Sequence, residues 1–326
     1  MEFTCSANER LDIAMSRALN TPRNQIEKFI KQEGVLVNEK IIKKPSFKVG
    51  EGDAVSYELV EAKFQNNFAP IDFDIDILYE DDDMLVINKP PFLTVHPAPS
   101  VKEATLVDWL KFKGISLSTL SGEQRHGIVH RIDKETSGAL VVAKNNSAHL
   151  ALSTQLEDKS MGRYYVALID TPLKENIVVD LPIARNPKNR LKMTVIEDGR
   201  EAKSAFCKIA LSRDGKSELI LAKLFSGRTH QIRVHLNSLS RHILGDSLYG
   251  FKSQNSKIPR VMLHAYMLYL KHPRTGKPLE IRAPFFDDFK LYLEKNFNKE
   301  ELYEKIDSSD INLYFSPFGQ WMSKKS

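Results

Sequence analysis

Between Glu9 and Leu19 the chain sets Leu11, Ala14, Met15, Ala18 and Leu19 at three- and four-residue intervals, the spacing of one apolar helical face. Thr21 and Pro22 then supply an N-cap and a first-turn proline for a second helix, which carries Ile26, Phe29 and Ile30 inward and ends at Gly34. Beyond Gly34 the period changes. An apolar run over residues 35–37, a turn over 38–40 and the alternating Val55, Tyr57 and Leu59 predict short strands. Two helices and a few small strands make a compact unit over residues 1–60, near the lower size limit for independent folding.

A polar connection over residues 61–77 follows, and then a second pattern begins. MLVINK at 84–89, ALVVAK at 139–144 and RYYVALI at 163–169 are strand-like runs, and residues 147–156 predict a helix capped by Asn146 or Ser147. Strands outnumber helices and no strict βαβ alternation is present. The expectation is therefore an α+β domain around a largely antiparallel, mixed sheet over residues 78–295. Residues 296–326 form an appended tail with aromatic anchors. In DFDIDILYEDDD, Phe73, Ile75 and Ile77 alternate with acids, which predicts a half-buried strand whose carboxylates face water and hold no metal.

Composition narrows the class. No apolar run approaches the ~20 residues that span a bilayer, and two cysteines, Cys5 and Cys207, make no disulfide framework. With no basic start and apolar stretch at the N-terminus, the expectation is a reduced, cytoplasmic protein. Nothing in the pattern calls for an obligate partner, so a monomer is expected. The net charge is +5, and residues 16–48 alone carry an excess of that size. The bases there are Arg17, Arg23, Lys28, Lys31, Lys40, Lys43, Lys44 and Lys48, against Glu27, Glu33 and Glu39. A solvated helix face accounts for such a run; so does a surface for a polyanion.

Candidate chemistry centres on RHGIVHRIDKETSG, residues 125–138, where Asp133 lies between a strand-like GIVHRI and a turn-like TSG. A lone aspartate of this kind most simply pairs with Arg131 or Lys134 at the surface. A second stretch, FSGRTHQIRVHL at 225–236, changes that. Read with two-residue periodicity, it puts Arg228 on one face with Ile232, Val234 and Leu236, aimed at a protected interior where a guanidinium needs an anion. An aspartate met there would be oriented and kept charged, ready to act as nucleophile or base.

HRIDKETSGALVVAKN resembles the catalytic motif of the RluA family of pseudouridine synthases, the large-ribosomal-subunit type. NKPPFLTVHP, RYYVALI, FSGRTHQIRVHL, ILGDSLYG and LHAYMLYLKHPRTGKPL extend the likeness in consistent order over roughly residues 78 to 290. The first fifty-odd residues resemble a small RNA-binding module named after a protein of the small ribosomal subunit, the alpha-L motif. The likeness there rests on RLD, R-x-x-I-x-x-x-I, G-x-V-x-V-N and the closing G-D.

The resemblance implies isomerisation of uridine in RNA, most readily large-subunit ribosomal RNA, without a cofactor. The base is detached from the ribose at N1, turned and rejoined at C5. It implies Asp133 as the essential carboxylate, Arg228 as the group that holds it, and Tyr165 stacked on the uracil. Strand alternation leaves room for only one of Tyr164 and Tyr165 in that role. Arg131, His130 and Thr136 would contact the substrate, and Arg131 would fill space near an extruded base. Arg17, Arg23, Lys28, Lys31 and Lys40 in the module, with Lys188 and Arg190 in PIARNPKNRLKMTV, would meet phosphates. Ser226 stands where threonine is common and His242 where proline is common, differences expected to touch local rigidity and not the reaction.

Two rival readings remain. His126 with His130, or His230 with His235, invite a metal, but GIVH is poor helical material for a four-residue ligand spacing. The basic module by itself would also serve a noncatalytic ribosome-assembly protein.

Overall fold

The structure, a computed structural model, describes residues 2–19, 23–57, 71–98, 101–250, 258–298, 302, 305, 306 and 311–318. The chain divides into two compact units, residues 1–69 with 119–126, and residues 70–118 with 127–326.

In the first unit the apolar spacing becomes α1 (Leu11–Ala18) and α2 (Arg23–Gln32). Leu11, Ala14 and Met15 from α1 meet Ile26 and Ile30 from α2, and all five are buried. Ala18 is exposed instead, because α1 ends there. The proposed Thr21–Pro22 start of α2 lies outside the described residues, as does Leu59. A strand at the very start, β1 (Glu2–Thr4), joins β3 (Val35–Val37), β4 (Lys40–Ile42) and β6 (Ala54–Ser56) in the order β1-β6-β3-β4. Asn38 and Glu39 both take positive φ between β3 and β4, the signature of a tight hairpin turn. A second two-stranded pair joins β2 (Glu9–Arg10) and β5 (Lys48–Val49). Asp12 is wholly buried in α1 and is held there by Arg10 and Arg23.

The second unit is built on a nine-stranded sheet. Its strands are β7 (Asp76–Glu80), β8 (Met84–Lys89), β9 (Ser137–Ala143), β10 (Gly162–Ile169), β11 (Ile177–Asp180), β14 (Lys203–Leu211), β15 (Glu218–Leu224), β16 (Leu263–Lys271) and β17 (Pro278–Arg282). The order is β11-β14-β15-β10-β16-β9-β8-β7, with β17 also on β16. Among the described residues only the β9–β16 pairing is parallel, so the α+β, mainly antiparallel expectation holds. β8, β9, β10 and β15 are buried along their whole length, which explains why they read as unbroken apolar runs rather than alternations. A separate hairpin pairs β12 (Ile183–Arg185) with β13 (Met193–Val195). Helices α3 (Leu106–Phe112) and α4 (Asn146–Glu157) flank the sheet, and the α4 cap is Asn145, whose side chain accepts from the Ala148 N–H.

Three local expectations are corrected. GIVHRI alternates in burial like a strand, yet it pairs only through the single bridge of Ile128 with Val142. RTHQIRVHL is not a strand: α5 (Gln231–Ser238) is a helix with residues 231–236 all buried. Gln231, Arg233 and His235 alternate with Ile232, Val234 and Leu236 as in a strand, and the helix buries these polar side chains on internal partners such as Asp246 and Ser204. The acidic stretch becomes a strand only from Asp76; Ile77 is exposed at a bulge. Its last acids do not merely face water. Asp81 accepts from Tyr79 Oη and pairs with His272 at 2.6 Å, and Asp83 pairs with Arg274 at 2.7 Å. Asp81, Asp83 and His272 lie close enough to share an ion, but these partners already engage them, so the group reads as a structural knot. In the tail, Leu302, Ile306, Ile311 and Phe315 are buried in the main core of this unit, and Phe315 packs 5.7 Å from the Tyr164 ring.

Candidate active site

Asp133 ends the irregular segment that runs into β9. Its carbonyl accepts from the Thr136 N–H at 3.1 Å, closing a turn over DKET. Gly138, with φ of 112°, lets β9 approach β16: a Cβ there would stand 2.3 Å from the Ala265 carbonyl oxygen. The turn is tied from below by two buried cations that the sequence reading passed over. Lys89, from NKPP, donates to the carbonyls of Pro90, Leu93 and Lys134 at 2.7, 2.9 and 3.1 Å. Its burial pushes its pKa down to about 7 against the opposing pull of Asp133. Arg260 is bidentate on Asp288 and reaches the Glu135 carbonyl at 3.4 Å.

The arginine that meets Asp133 is Arg233. Its Nη1 lies 3.2 Å from Asp133 Oδ2, while its Nε and Nη2 grip the fully buried Asp246 at 2.7 and 2.8 Å. The helical course of α5 turns residue 233 inward and leaves Arg228 before the helix, half-exposed, with its Nε donating to the Glu201 carbonyl at 2.9 Å. The expected Asp133–Arg228 pairing is thereby replaced. Burial pulls the Arg233 pKa down, but the Asp246 and Asp133 carboxylates outweigh it and hold the pKa above the ordinary arginine value. Asp246 comes from the quoted ILGDSLYG stretch and also accepts from the N–H groups of Leu248 and Tyr249. The Arg233 guanidinium lies 5.0 Å from the centroid of the Tyr249 ring.

His230 sits in the left-handed region at φ 55° just before α5, with its Nε2 3.8 Å from Asp133 Oδ2 and its Nδ1 3.0 Å from Tyr249 Oη. Burial lowers its pKa more than Asp133 raises it, so the ring is neutral at pH 7. Gln231 holds the preceding turn: its Oε1 accepts from Ser226 Oγ and the Arg228 N–H, and its Nε2 donates to the Lys203 carbonyl. Ser226 thus keeps a hydroxyl at work where threonine is common.

An open cleft with a cavity volume of about 90 Å³ joins these groups. Asp133, Arg131, Thr136, Tyr165, Arg228, His230 and Arg233 line it, together with Arg163 from β10. Tyr165 is buried, and that burial raises its pKa, keeping the phenol protonated. Tyr164 points away, towards Phe315. His130 does not line the cleft. Its Nε2 accepts from the Val141 N–H at 3.2 Å, satisfying the outer edge of β9, so its expected substrate contact is corrected to bracing the segment before Asp133. His242, in place of proline, takes both its N–H and its ring to Asp170.

Among the expected RNA contacts, Lys31 and Lys40 are exposed in the first unit, and Lys188 and Arg190 are exposed on the β12–β13 turn. Arg17 and Arg23 are partly committed inside the fold, to Glu9 and to Asp12 and Glu27. The Lys28 side chain lies outside the described residues.

Residues 83–238 match the RNA pseudouridylate synthase family and residues 9–55 match the S4 domain. The chain is 46% identical to an uncharacterized RNA pseudouridine synthase of Helicobacter pylori strain J99, over 93% of this chain and 94% of that protein. It is 35% identical to the ribosomal large subunit pseudouridine synthase D of Zymomonas mobilis, over 86% of this chain and 92% of that one. The solved human RNA pseudouridylate synthase domain containing 1 shares the fold, with a TM-score of 0.56 and 23% identity, covering 72% of this chain and 96% of its own. The chain belongs to the RNA pseudouridine synthases of the RluA type that carry an N-terminal S4 domain. It is an isomerase acting on uridine in RNA. Among the described residues, no helix is long and apolar enough to cross a membrane.

Proposed function

We propose that this enzyme converts uridines of large-subunit ribosomal RNA, as a cytoplasmic monomer, with Asp133 as the carboxylate that starts the reaction. The observation that carries the chemistry is the Asp133–Arg233 pair at 3.2 Å in a cleft that also holds Tyr165. Asp133 is 21% exposed, so a substrate can reach it, while Arg233 fixes its orientation. The Tyr165 phenol offers a flat face for a flipped uracil. Exposed Arg131 at the rim takes the space the base leaves, and Thr136 lines the wall. Lys31, Lys40, Lys188 and Arg190 supply phosphate contacts. The ribosomal target rests on relatives named ribosomal large subunit pseudouridine synthase D in Zymomonas mobilis and Nitrosomonas europaea, 35% and 34% identical.

The test is a pseudouridine map of ribosomal RNA from cells lacking the protein, complemented with the native chain or with Asp133→Ala. Particular sites vanish in the deletion strain and return only with the native chain. An unchanged map would move the target to another RNA, and sites restored by Asp133→Ala would remove that residue from the chemistry.

A further inference from the structure

Three arginines lie buried around the catalytic turn, and they differ in what holds them. Arg233 and Arg260 each clasp a carboxylate with two nitrogens. Arg163, on β10, clasps none. It is 8% exposed, its Nε has no hydrogen-bond partner, and among the described residues it forms no ion pair. Isolating a buried cation in this way is unfavourable, and a fold normally avoids it by pairing or by a shorter apolar side chain. Here the surroundings make room for it. Gly227 lies over the guanidinium, and a Cβ at that position would stand 2.6 Å from Nη1. Arg163 is two residues from Tyr165 on the same strand, so both side chains leave the same face of the sheet, and both line the cleft with Asp133.

We propose that Arg163 is a further catalytic residue, a cation that faces the uracil ring and stabilises the negative charge the base acquires during the reaction. The inference rests on the pseudouridine synthase reading of this cleft. The ligand is chosen by depth. A phosphate belongs to the solvated backbone and stays at the rim, where exposed Arg131 and half-exposed Arg228 already stand. The base is what enters, and its polar atoms are two carbonyl oxygens and an imide. When the N1–C1′ bond breaks, its electron pair passes to N1 and spreads over O2 and O4. When C5 is joined to C1′, the new bond takes a pair from the ring, the proton on C5 leaves, and N1 takes up a proton. No atom is gained or lost, and the charge on the ring is transient. A fixed cation in a low-dielectric wall favours that anion over the neutral base of bound RNA, which is the condition for accelerating a step rather than tightening binding.

The experiment compares full-length native protein with Arg163→Met and Arg163→Lys on large-subunit ribosomal RNA and on bulk transfer RNA from the deletion strain. Three quantities are read: single-turnover pseudouridine formation, RNA affinity and the unfolding midpoint. Arg163→Met is expected to slow formation about 100-fold or more. Its affinity should stay within about three-fold of native, and its unfolding midpoint should hold or rise, because an unpaired buried charge is gone. Arg163→Lys should recover part of the rate. The inference is overturned by an unchanged rate in Arg163→Met, by a loss of affinity as large as the loss of rate, or by a lowered midpoint with no recovery in the lysine variant. If the native chain converts neither RNA, the reading of the cleft fails first and this inference falls with it.

Discussion

The amino-terminal unit and the cleft of the larger unit both gather positive charge, but at opposite depths. Lys31 and Lys40 stand in water, and Arg17 and Arg23, about half-exposed, pair with the unit's own acids, among them the buried Asp12. In the larger unit Arg163, Arg233, Arg260 and Lys89 are buried, and apart from Arg163 each is bound to carboxylates or carbonyls. Surface cations are screened by salt and are individually weak, which suits a grip on RNA that carries little sequence information. Buried cations act at full strength over a few ångströms, which suits holding a reactive group in place. One unit uses charge for attraction and the other for positioning.

The sharpest way to break this contrast is to remove the carboxylate that Arg233 presents to the cleft. Asp133→Ala should lower pseudouridine formation on the order of 10⁴-fold, with thermal unfolding close to native, since the side chain is part-exposed. A large drop in stability would mean that Asp133 is held for the fold instead. Arg233→Met comes next and should damage both properties. Asp246, 0% exposed, would lose both of its guanidinium bonds, so urea unfolding should report a loss of about 3–5 kcal/mol alongside the loss of activity. Unchanged stability would show that Arg233 matters only to Asp133.

Acid acts on the larger unit as well. That unit buries His130 and His264, with pKa values pushed by burial down to about 3 and about 4. Both rings are neutral in the fold at pH 7 and protonate freely once unfolded, near 6.5. Stability is therefore full above pH 6.5 and falls as the pH drops from 6.5 towards 4, by about 1.4 kcal/mol per pH unit for each ring. Chemical denaturation of the full chain at pH 7, 6 and 5, followed by tryptophan emission from Trp109, reads this directly; a flat profile would contradict it. The smallest effects belong to the surface. Replacing Lys31 or Lys40 with alanine should leave unfolding unchanged and reduce the slope of log affinity against log salt by about 0.7–0.9 per contact. A loss of rate at saturating RNA would instead place these lysines in the chemistry.

Much of the fold was readable from amphipathic helical spacing and from unbroken apolar runs. The i, i+3, i+4 spacing of Leu11, Ala14 and Met15, and the runs in β8, β9 and β10, correspond to observed elements. The reading failed at α5, where buried polar and apolar residues alternate as they would in a strand, and at GIVHRI, where alternation exists without a partner strand. The active-site pairing failed for the same reason. Read as a strand, FSGRTHQIRVHL turns Arg228 inward; with QIRVHL wound as a helix, it delivers Arg233. Lys89 and Asp246 were inside quoted motifs, but a short motif does not say which carbonyl or guanidinium its residues will meet.

The amino-acid sequence by itself determined the family and the two kinds of unit, because these reside in local order and spacing, and it singled out Asp133 as the candidate carboxylate. Only the tertiary structure decided which arginine faces Asp133, that His130 braces β9, and that Arg163 stands without an anion beside Tyr165. Those outcomes depend on groups as far apart in the chain as residues 133 and 233, and a distance of 3.2 Å between them exists only once the sheet and α5 have packed.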